Sequence, residues 1–203
     1  MSAIRSVCVY CGSSPGRDDI FMASGTALGR SLGEAGLRLV YGGGTRGIMG
    51  AVAAGTMAAG GAVTGIIPRF LMNKEATETS LQTLDELIVT DDMHQRKHAM
   101  FERSDAFVAL PGGIGTLEEI VEIMTWAQLG RHEKPIVFAN IGGFWDPMLS
   151  LLDHMKHAGF LHSQNRIVPL VIDDADGIVP AILDHAVSRR AAAEGDRGVI
   201  DWL

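Results

Sequence analysis

Cysteine is scarce in this sequence: its 203 residues include only Cys8 and Cys11. Their C-x-x-C spacing raises the question of a redox pair or of half a zinc site. Both lie in the run 4–11, which has the composition of a β-strand, where side chains three positions apart point to opposite faces. Redox pairs of this spacing instead begin a helix, whose dipole lowers the thiol pKa. We therefore expect two buried thiols in a reducing cytoplasm, and no metal.

Positive charge is also in short supply. The chain has 17 Lys and Arg against 24 Asp and Glu, which gives a formal net charge of -7. Because phosphate backbones are held by clustered basic residues, we expect no nucleic-acid partner. A small anion can still bind, since a local site can be positive on an acidic protein.

Long apolar runs are missing as well. The stretch 47–68 carries no charge, but glycines and threonines lower its apolar density below that of a membrane span. A buried helix, a glycine turn and a buried strand explain this stretch better. We also find no export signal near the start, so we expect a cytoplasmic protein without a membrane partner.

Short β-rich runs alternate with helix-length segments along the whole chain. The predicted strands are 4–11, 37–41, 62–67, 86–90, 105–110, 135–140 and 167–172. The predicted helices are 18–35, 47–59, 93–103, 115–129, 145–158 and 175–190. After Asp105 the run 105–110 is continuously apolar, as strands of a parallel sheet covered on both faces are.

This pattern predicts an α/β fold: a Rossmann-like, doubly wound, mainly parallel sheet flanked by helices. We expect one nucleotide-binding domain over residues 1–203, with a tail that is extended from about residue 188. The stretch from Pro68 to Glu86 has no clear element, and a polar loop of that length is often functional.

Three glycine-rich segments follow predicted strands, at the edge where such sheets bind ligands. They are 12–16, 42–47 and 111–116. Gly42, Gly44 and Gly47 fit the dinucleotide pattern G-x-G-x-x-G, which also requires an acid at the end of the next strand. That strand ends at Pro68 without an acid, so NAD is disfavoured. These glycines are either turn formers or a wall of a mononucleotide pocket.

The third segment is the more specific signal, because a buried strand leads through Pro111-Gly112-Gly113 into the start of a helix. Glycines let the backbone approach a phosphate closely, and a helix start adds positive potential. A phosphate site is therefore predicted here. Thr116 and Glu119 also match a capping box, in which both would serve only the helix.

The helix that follows the strand 86–90 begins near Asp92, and its first turns face the same edge. Arg96 and Lys97 would add positive charge there, although a solvated helix face is the alternative for Lys97. His94 and His98 are four residues apart, but nothing around them resembles an HExxH metal site.

The residues from Pro111 to Glu119 resemble the PGGxGTxxE signature of the LOG (Lonely Guy) family. Met93-His94-Gln95-Arg96-Lys97 is similar to the second hallmark of that family, and the resemblance extends over nearly the whole chain. The family comprises cytokinin riboside 5'-monophosphate phosphoribohydrolases, formerly described as lysine decarboxylase-like. The resemblance implies hydrolysis of the N-glycosidic bond of nucleoside 5'-monophosphates, AMP included, to a free base and ribose 5-phosphate.

The resemblance also implies roles for individual residues, no cofactor and a homodimer. The catalytic residues would be Arg96 and Glu119. The substrate-binding residues would be Ser13, Gly43, Gly44, Glu78, Lys97, Gly112, Gly113, Ile114, Gly115, Thr116, Leu117, Glu118 and Thr125. Ile114 replaces an aromatic residue that is common in plant members.

Two alternatives from other classes remain at this stage. A non-catalytic carrier of a phosphorylated, nucleotide-like cofactor could use the same sheet and the same glycine loops. Lysine decarboxylation requires a Schiff-base lysine, and none of Lys74, Lys97, Lys134 and Lys156 has such a context.

Overall fold

The structure, a computed structural model, describes residues 4–75, 81–161 and 168–197. In this part of the chain seven strands form one sheet in the order β4-β3-β2-β1-β5-β6-β7, and all six pairings are parallel. The strands are β1 Ser6–Tyr10, β2 Arg38–Tyr41, β3 Val63–Pro68, β4 Glu86–Thr90, β5 Ala106–Ala109, β6 Ile136–Ala139 and β7 Leu170–Ile172.

Six helices of ten or more residues flank the sheet in the described ranges. They are α1 Asp19–Glu34, α2 Gly47–Ala58, α3 Met93–Glu102, α4 Ile114–Gln128, α5 Asp146–His157 and α6 Ile178–Arg197. Every predicted strand and helix is present, so the predicted Rossmann-like α/β class is confirmed. The stretch after Pro68 contains a 3₁₀ turn, Arg69–Leu71, and a short helix, Met72–Glu75.

The chain end differs from its prediction. The tail was expected to be extended from about residue 188, whereas α6 continues to Arg197. The sequence from Arg189 to Glu194 consists of Arg, Ala and Glu, which all have high helix propensity and therefore favour continuation of the helix.

The core lies in two layers, one on each face of the sheet. Alternate residues of β1 and the residue after it belong to opposite layers: Cys11 lies in the layer formed with α1, α2 and α6, and Cys8 in the layer formed with α3, α4 and the start of α5. The two cysteines are free and buried, as their position in a strand predicted. Burial raises the pKa of both thiols well above the usual range, so neither is a reactive thiolate.

The uncharged stretch 47–68 forms α2, a turn and β3, as predicted. Among the described residues, none of the helices has the length and apolar content needed to cross a membrane.

The strand order determines where a ligand can bind. β1 pairs with β2 on one side and with β5 on the other. The helix that follows β1 packs on one face of the sheet, and the helix that follows β5 packs on the opposite face. The position between β1 and β5 is therefore the topological switch point, where a crevice opens beyond the carboxyl ends of the strands. The loops that follow β1 and β5 form its walls.

Candidate active site

The three glycine-rich loops meet at this switch point. The amide of Gly12, after β1, donates to the carbonyl of Pro111, after β5, at 3.0 Å. The carbonyl of Gly12 in turn accepts from the amide of Met49, in the first turn of α2, at 3.2 Å. The three loops thus lie at one edge of the sheet, as expected.

Close backbone contact explains the glycine at position 112. A Cβ on Gly112 would lie against the hydroxyl of Thr116 and 2.9 Å from the amide nitrogen of Gly12. A side chain there would force the two loops apart.

The 42–47 loop contains two glycines whose backbone conformation favours glycine. Gly43 has φ +76° and Gly47 has φ +58°, both in the left-handed region. A Cβ on Gly47 would also lie 2.5 Å from the carbonyl carbon of Ser13, so this turn packs against the first glycine loop. Gly44 is buried in the same turn, and Ser13 is exposed. The backbone conformation of Gly47 supports the turn-former interpretation for that residue, and contact of Gly43 and Gly44 with a substrate stays a prediction.

The start of α4 shows that the capping-box interpretation is wrong. The N-cap is Gly113, no side chain caps the helix, and Thr116 is already its third residue. Thr116 is buried, whereas Gly113, Ile114 and Gly115 are exposed. Because the first amides of a helix have no acceptor within it, this uncapped start presents N–H donors at an open position.

Arg96 and Glu119 face each other beside this helix start. Nη1 of Arg96 lies 3.6 Å from Oε1 of Glu119, and the two side chains are only 8% and 11% exposed. Nε of Arg96 donates to the carbonyl of Ile66 at 3.2 Å, and Nη2 donates to the carbonyl of Gly42 at 3.3 Å. A carbonyl just after β2 and a carbonyl within β3 thus hold the guanidinium, while α4 supplies the carboxylate.

Lys97, the next residue of α3, is held by two other acids of α4. Its Nζ lies 2.6 Å from Oε1 of Glu118 and 3.2 Å from Oε2 of Glu122. Burial alone would lower the pKa of Lys97, but Glu118 and Glu122 outweigh burial and raise this pKa above its ordinary value. Lys97 is therefore a paired cation, and contact between Lys97 or Glu118 and a substrate stays a prediction.

The remaining candidates are more scattered. Leu117 is half-buried and packs against the core, and Thr125 is exposed, its hydroxyl donating to the carbonyl of Val121 at 2.8 Å. Thr125 lies six residues beyond Glu119, about 9 Å along the helix. Glu78 lies outside the described residues. His94 and His98 are exposed, and the described ranges contain no group of three or more His, Cys, Asp or Glu side chains suited to a metal.

Three groups that hold Lys97 and Arg96 are not predicted from the sequence: the carboxylate of Glu122 and the carbonyls of Gly42 and Ile66. Glu122 carries no distinguishing signal in the sequence except its spacing of four from Glu118, which places both acids on one helix face, where one lysine can reach them. The carbonyls of Gly42 and Ile66 carry no signal in the residue type, because every residue has a carbonyl.

Comparison with known proteins agrees with this architecture. A family model described as "Possible lysine decarboxylase" matches residues 49–182. A probable cytokinin riboside 5'-monophosphate phosphoribohydrolase of Oryza sativa subsp. japonica is 42% identical over 88% of this chain and 71% of its own length. A cytokinin riboside 5'-monophosphate phosphoribohydrolase of Arabidopsis thaliana is 43% identical over 88% of this chain and 77% of its own length.

Solved structures share the fold. The Moco carrier protein of Chlamydomonas reinhardtii has a TM-score of 0.67 at 19% identity, over 91% of this chain and 99% of that one. The X-ray structure of TM1055 has a TM-score of 0.65 at 27% identity, over 88% of this chain and 98% of that one. At 19% identity the carrier protein shows the fold alone. By its family match and its relatives, the chain belongs to the family of the possible lysine decarboxylases, together with the cytokinin riboside 5'-monophosphate phosphoribohydrolases of rice and Arabidopsis.

Proposed function

We propose that this protein hydrolyses the N-glycosidic bond of nucleoside 5'-monophosphates, releasing a free base and ribose 5-phosphate. The observation that carries this proposal is the nearly buried Arg96–Glu119 pair beside the uncapped start of α4. Glu119 lies five residues after Ile114, about 7.5 Å along the helix axis. A ribose 5-phosphate whose phosphate sits at the helix start would extend along α4 towards this carboxylate.

The phosphate is assigned to the helix start and the adjoining glycine loop. The exposed backbone of Gly113 and Gly115 lets an anion approach the first amides of α4, where the helix dipole favours negative charge. The loop therefore needs no free lysine to hold the phosphate, which agrees with the pairing of Lys97 to Glu118 and Glu122.

In the proposed mechanism, positive charge develops on the ribose as the bond to the base breaks. The carboxylate of Glu119 stabilises this oxocarbenium-like state and can position the attacking water. A guanidinium does not act as an acid in proteins, so the protonation of the leaving base is not assigned to Arg96. Its guanidinium, fixed by two backbone carbonyls and 3.6 Å from Glu119, orients this carboxylate.

The relatives' names indicate the substrate class. Because relatives in rice and Arabidopsis are named for cytokinin riboside 5'-monophosphate, we propose this nucleotide and AMP as substrates. Lysine decarboxylation fits poorly despite the description of the family. A Schiff-base lysine must become neutral, whereas Glu118 and Glu122 raise the pKa of Lys97, the lysine of the candidate site, and favour its charged form.

A panel of nucleotides and their matching nucleosides tests this function directly. We expect AMP and an N6-substituted AMP to give free base and ribose 5-phosphate, with kcat/KM at least about tenfold above that of each nucleoside. The expected factor corresponds to one hydrogen bond to a charged group, used here to position the reacting bond. Equal rates on nucleotide and nucleoside would contradict the assignment of a phosphate site. Binding of nucleotides without any release of base would favour a carrier.

We further propose that the protein is a cytoplasmic homodimer. Ile114 and Val121 of α4 and Leu129, the C-cap that follows it, are spaced by seven and eight residues, so they share one face, and they are 81%, 39% and 75% exposed. Exposed apolar residues grouped in this way are typical of an interface.

The proposed cytoplasmic location rests on the cysteines, because buried, unpaired thiols suit a reducing compartment. Sedimentation velocity should give a dimer and cell fractionation a cytoplasmic location; a monomer at micromolar concentration, or export, contradicts the respective part.

A further inference from the structure

Gly42, the first residue after β2, lies directly against the guanidinium of Arg96. Its carbonyl accepts from Nη2 of Arg96 at 3.3 Å, and a Cβ on Gly42 would collide with that same Nη2. The next nearest atoms to such a Cβ are Cζ of Arg96 at 3.2 Å and Sδ of Met49 at 3.5 Å. The space that a side chain would occupy is therefore filled by the guanidinium.

The backbone itself does not require a glycine at this position. Gly42 is not among the residues with φ in the left-handed region, whereas its neighbour Gly43 has φ +76°. A residue with a Cβ could adopt the backbone conformation of Gly42 without strain. The physical reason for this glycine is therefore the side chain of Arg96 and not the turn.

The guanidinium has little freedom to avoid a new side chain at position 42. Nε of Arg96 donates to the carbonyl of Ile66 at 3.2 Å, and Sδ of Met93 lies 3.9 Å from Nη1. These contacts fix the plane in which Nη1 points to Glu119 at 3.6 Å. Moving the group away from Gly42 would break one of its two backbone hydrogen bonds and change its approach to the carboxylate.

We propose that Gly42 is a positioning residue for the reaction: its missing side chain provides the slot in which the guanidinium of Arg96 lies, aimed at Glu119. This inference rests on the proposed function, since only that function makes Arg96 and Glu119 a catalytic pair. It assigns the first glycine of the 42–47 loop to the orientation of a catalytic group, rather than to a turn or to contact with the nucleotide.

The test is Gly42→Ala, measured by steady-state kinetics on the best nucleotide of the panel. Misplacing a catalytic group by about 1 Å can cost up to about 10²-fold, and a flexible arginine recovers part of this. We expect kcat to fall about tenfold while KM changes little, because the phosphate loop is untouched. Gly177→Ala is the matched control: a Cβ there would make an ordinary contact of 3.4 Å with Cγ2 of Ile172 and leave kcat unchanged.

A double-mutant cycle with Arg96→Ala separates this role from a general packing effect. Once the guanidinium is removed, Gly42→Ala should lower neither the residual kcat nor the melting temperature, although it lowers both in the wild type. Wild-type turnover in Gly42→Ala, or equal effects in the two backgrounds, would overturn the proposal. If the wild type cleaves no nucleotide, the proposed function fails, but the melting temperatures of the same four proteins still decide whether the slot exists.

Discussion

Glu119→Gln should reduce the release of base from a bound nucleotide by about 10²-fold or more, while the protein still folds and binds the nucleotide. The amide keeps the shape of the side chain but loses the negative charge, which matters most when the ribose becomes cationic. Removing one preorganised electrostatic group typically costs about 10²- to 10³-fold in kcat. Single-turnover base release and nucleotide affinity, measured on the same preparations, check this expectation.

The controls for Glu119→Gln follow from the structure. Glu34→Gln makes the same chemical change at an exposed position at the end of α1 and should leave release, affinity and melting temperature unchanged. Because the structure excludes the capping box, a loss of activity in Glu119→Gln cannot be assigned to a lost helix cap. Normal release in the mutant would leave Glu119 a structural residue. An inactive wild type that binds nucleotides would favour the carrier.

The fold was predictable from the sequence because each strand carries its own signal. β5 and β6 are continuously apolar and each is followed closely by a polar or glycine-rich segment, which indicates parallel strands covered on both faces. The glycine loops follow the strands, so the rule for ligand sites in doubly wound sheets places the candidate site from the sequence alone. The local sequence pattern and general rules of sheet topology were therefore sufficient to predict the fold and the edge of the sheet at which the candidate site lies.

The internal geometry of the site was not predictable in the same way. The acceptors of Arg96 lie 30 and 54 residues away in the chain and are backbone carbonyls, which no residue type reveals. Lys97 looked like a free cation for the phosphate because its partners are on a different helix, 21 residues away in the case of Glu118. The capping box failed for a related reason: the motif has the right residues, but the helix begins at Ile114, before Thr116.

Gly115→Val should lower kcat/KM for nucleotides by about 10²-fold and leave the stability of the protein unchanged. Apart from the adjoining residues of its own helix, a Cβ at Gly115 meets no atom of the described chain within 4 Å, and its φ is not in the left-handed region, so a side chain fits the fold. Valine also has a somewhat higher helix propensity than glycine. The added methyl groups would occupy the position from which a phosphate reaches the first amides of α4, and each hydrogen bond to a charged group is worth roughly 10- to 100-fold.

A second substitution and a comparison of nucleotide with nucleoside test whether the loss of activity in Gly115→Val depends on the phosphate. Gly115→Ala should give a smaller loss than Gly115→Val, because the alanine side chain leaves more of the approach open. The slow cleavage of the matching nucleoside should be the same in all three proteins, since it uses Arg96 and Glu119 but has no phosphate to place. Ribose 5-phosphate affinity, measured by calorimetry, should fall in parallel with kcat/KM for the nucleotide. If Gly115→Val binds ribose 5-phosphate as tightly as the wild type, the phosphate lies elsewhere and the start of α4 loses its assigned role.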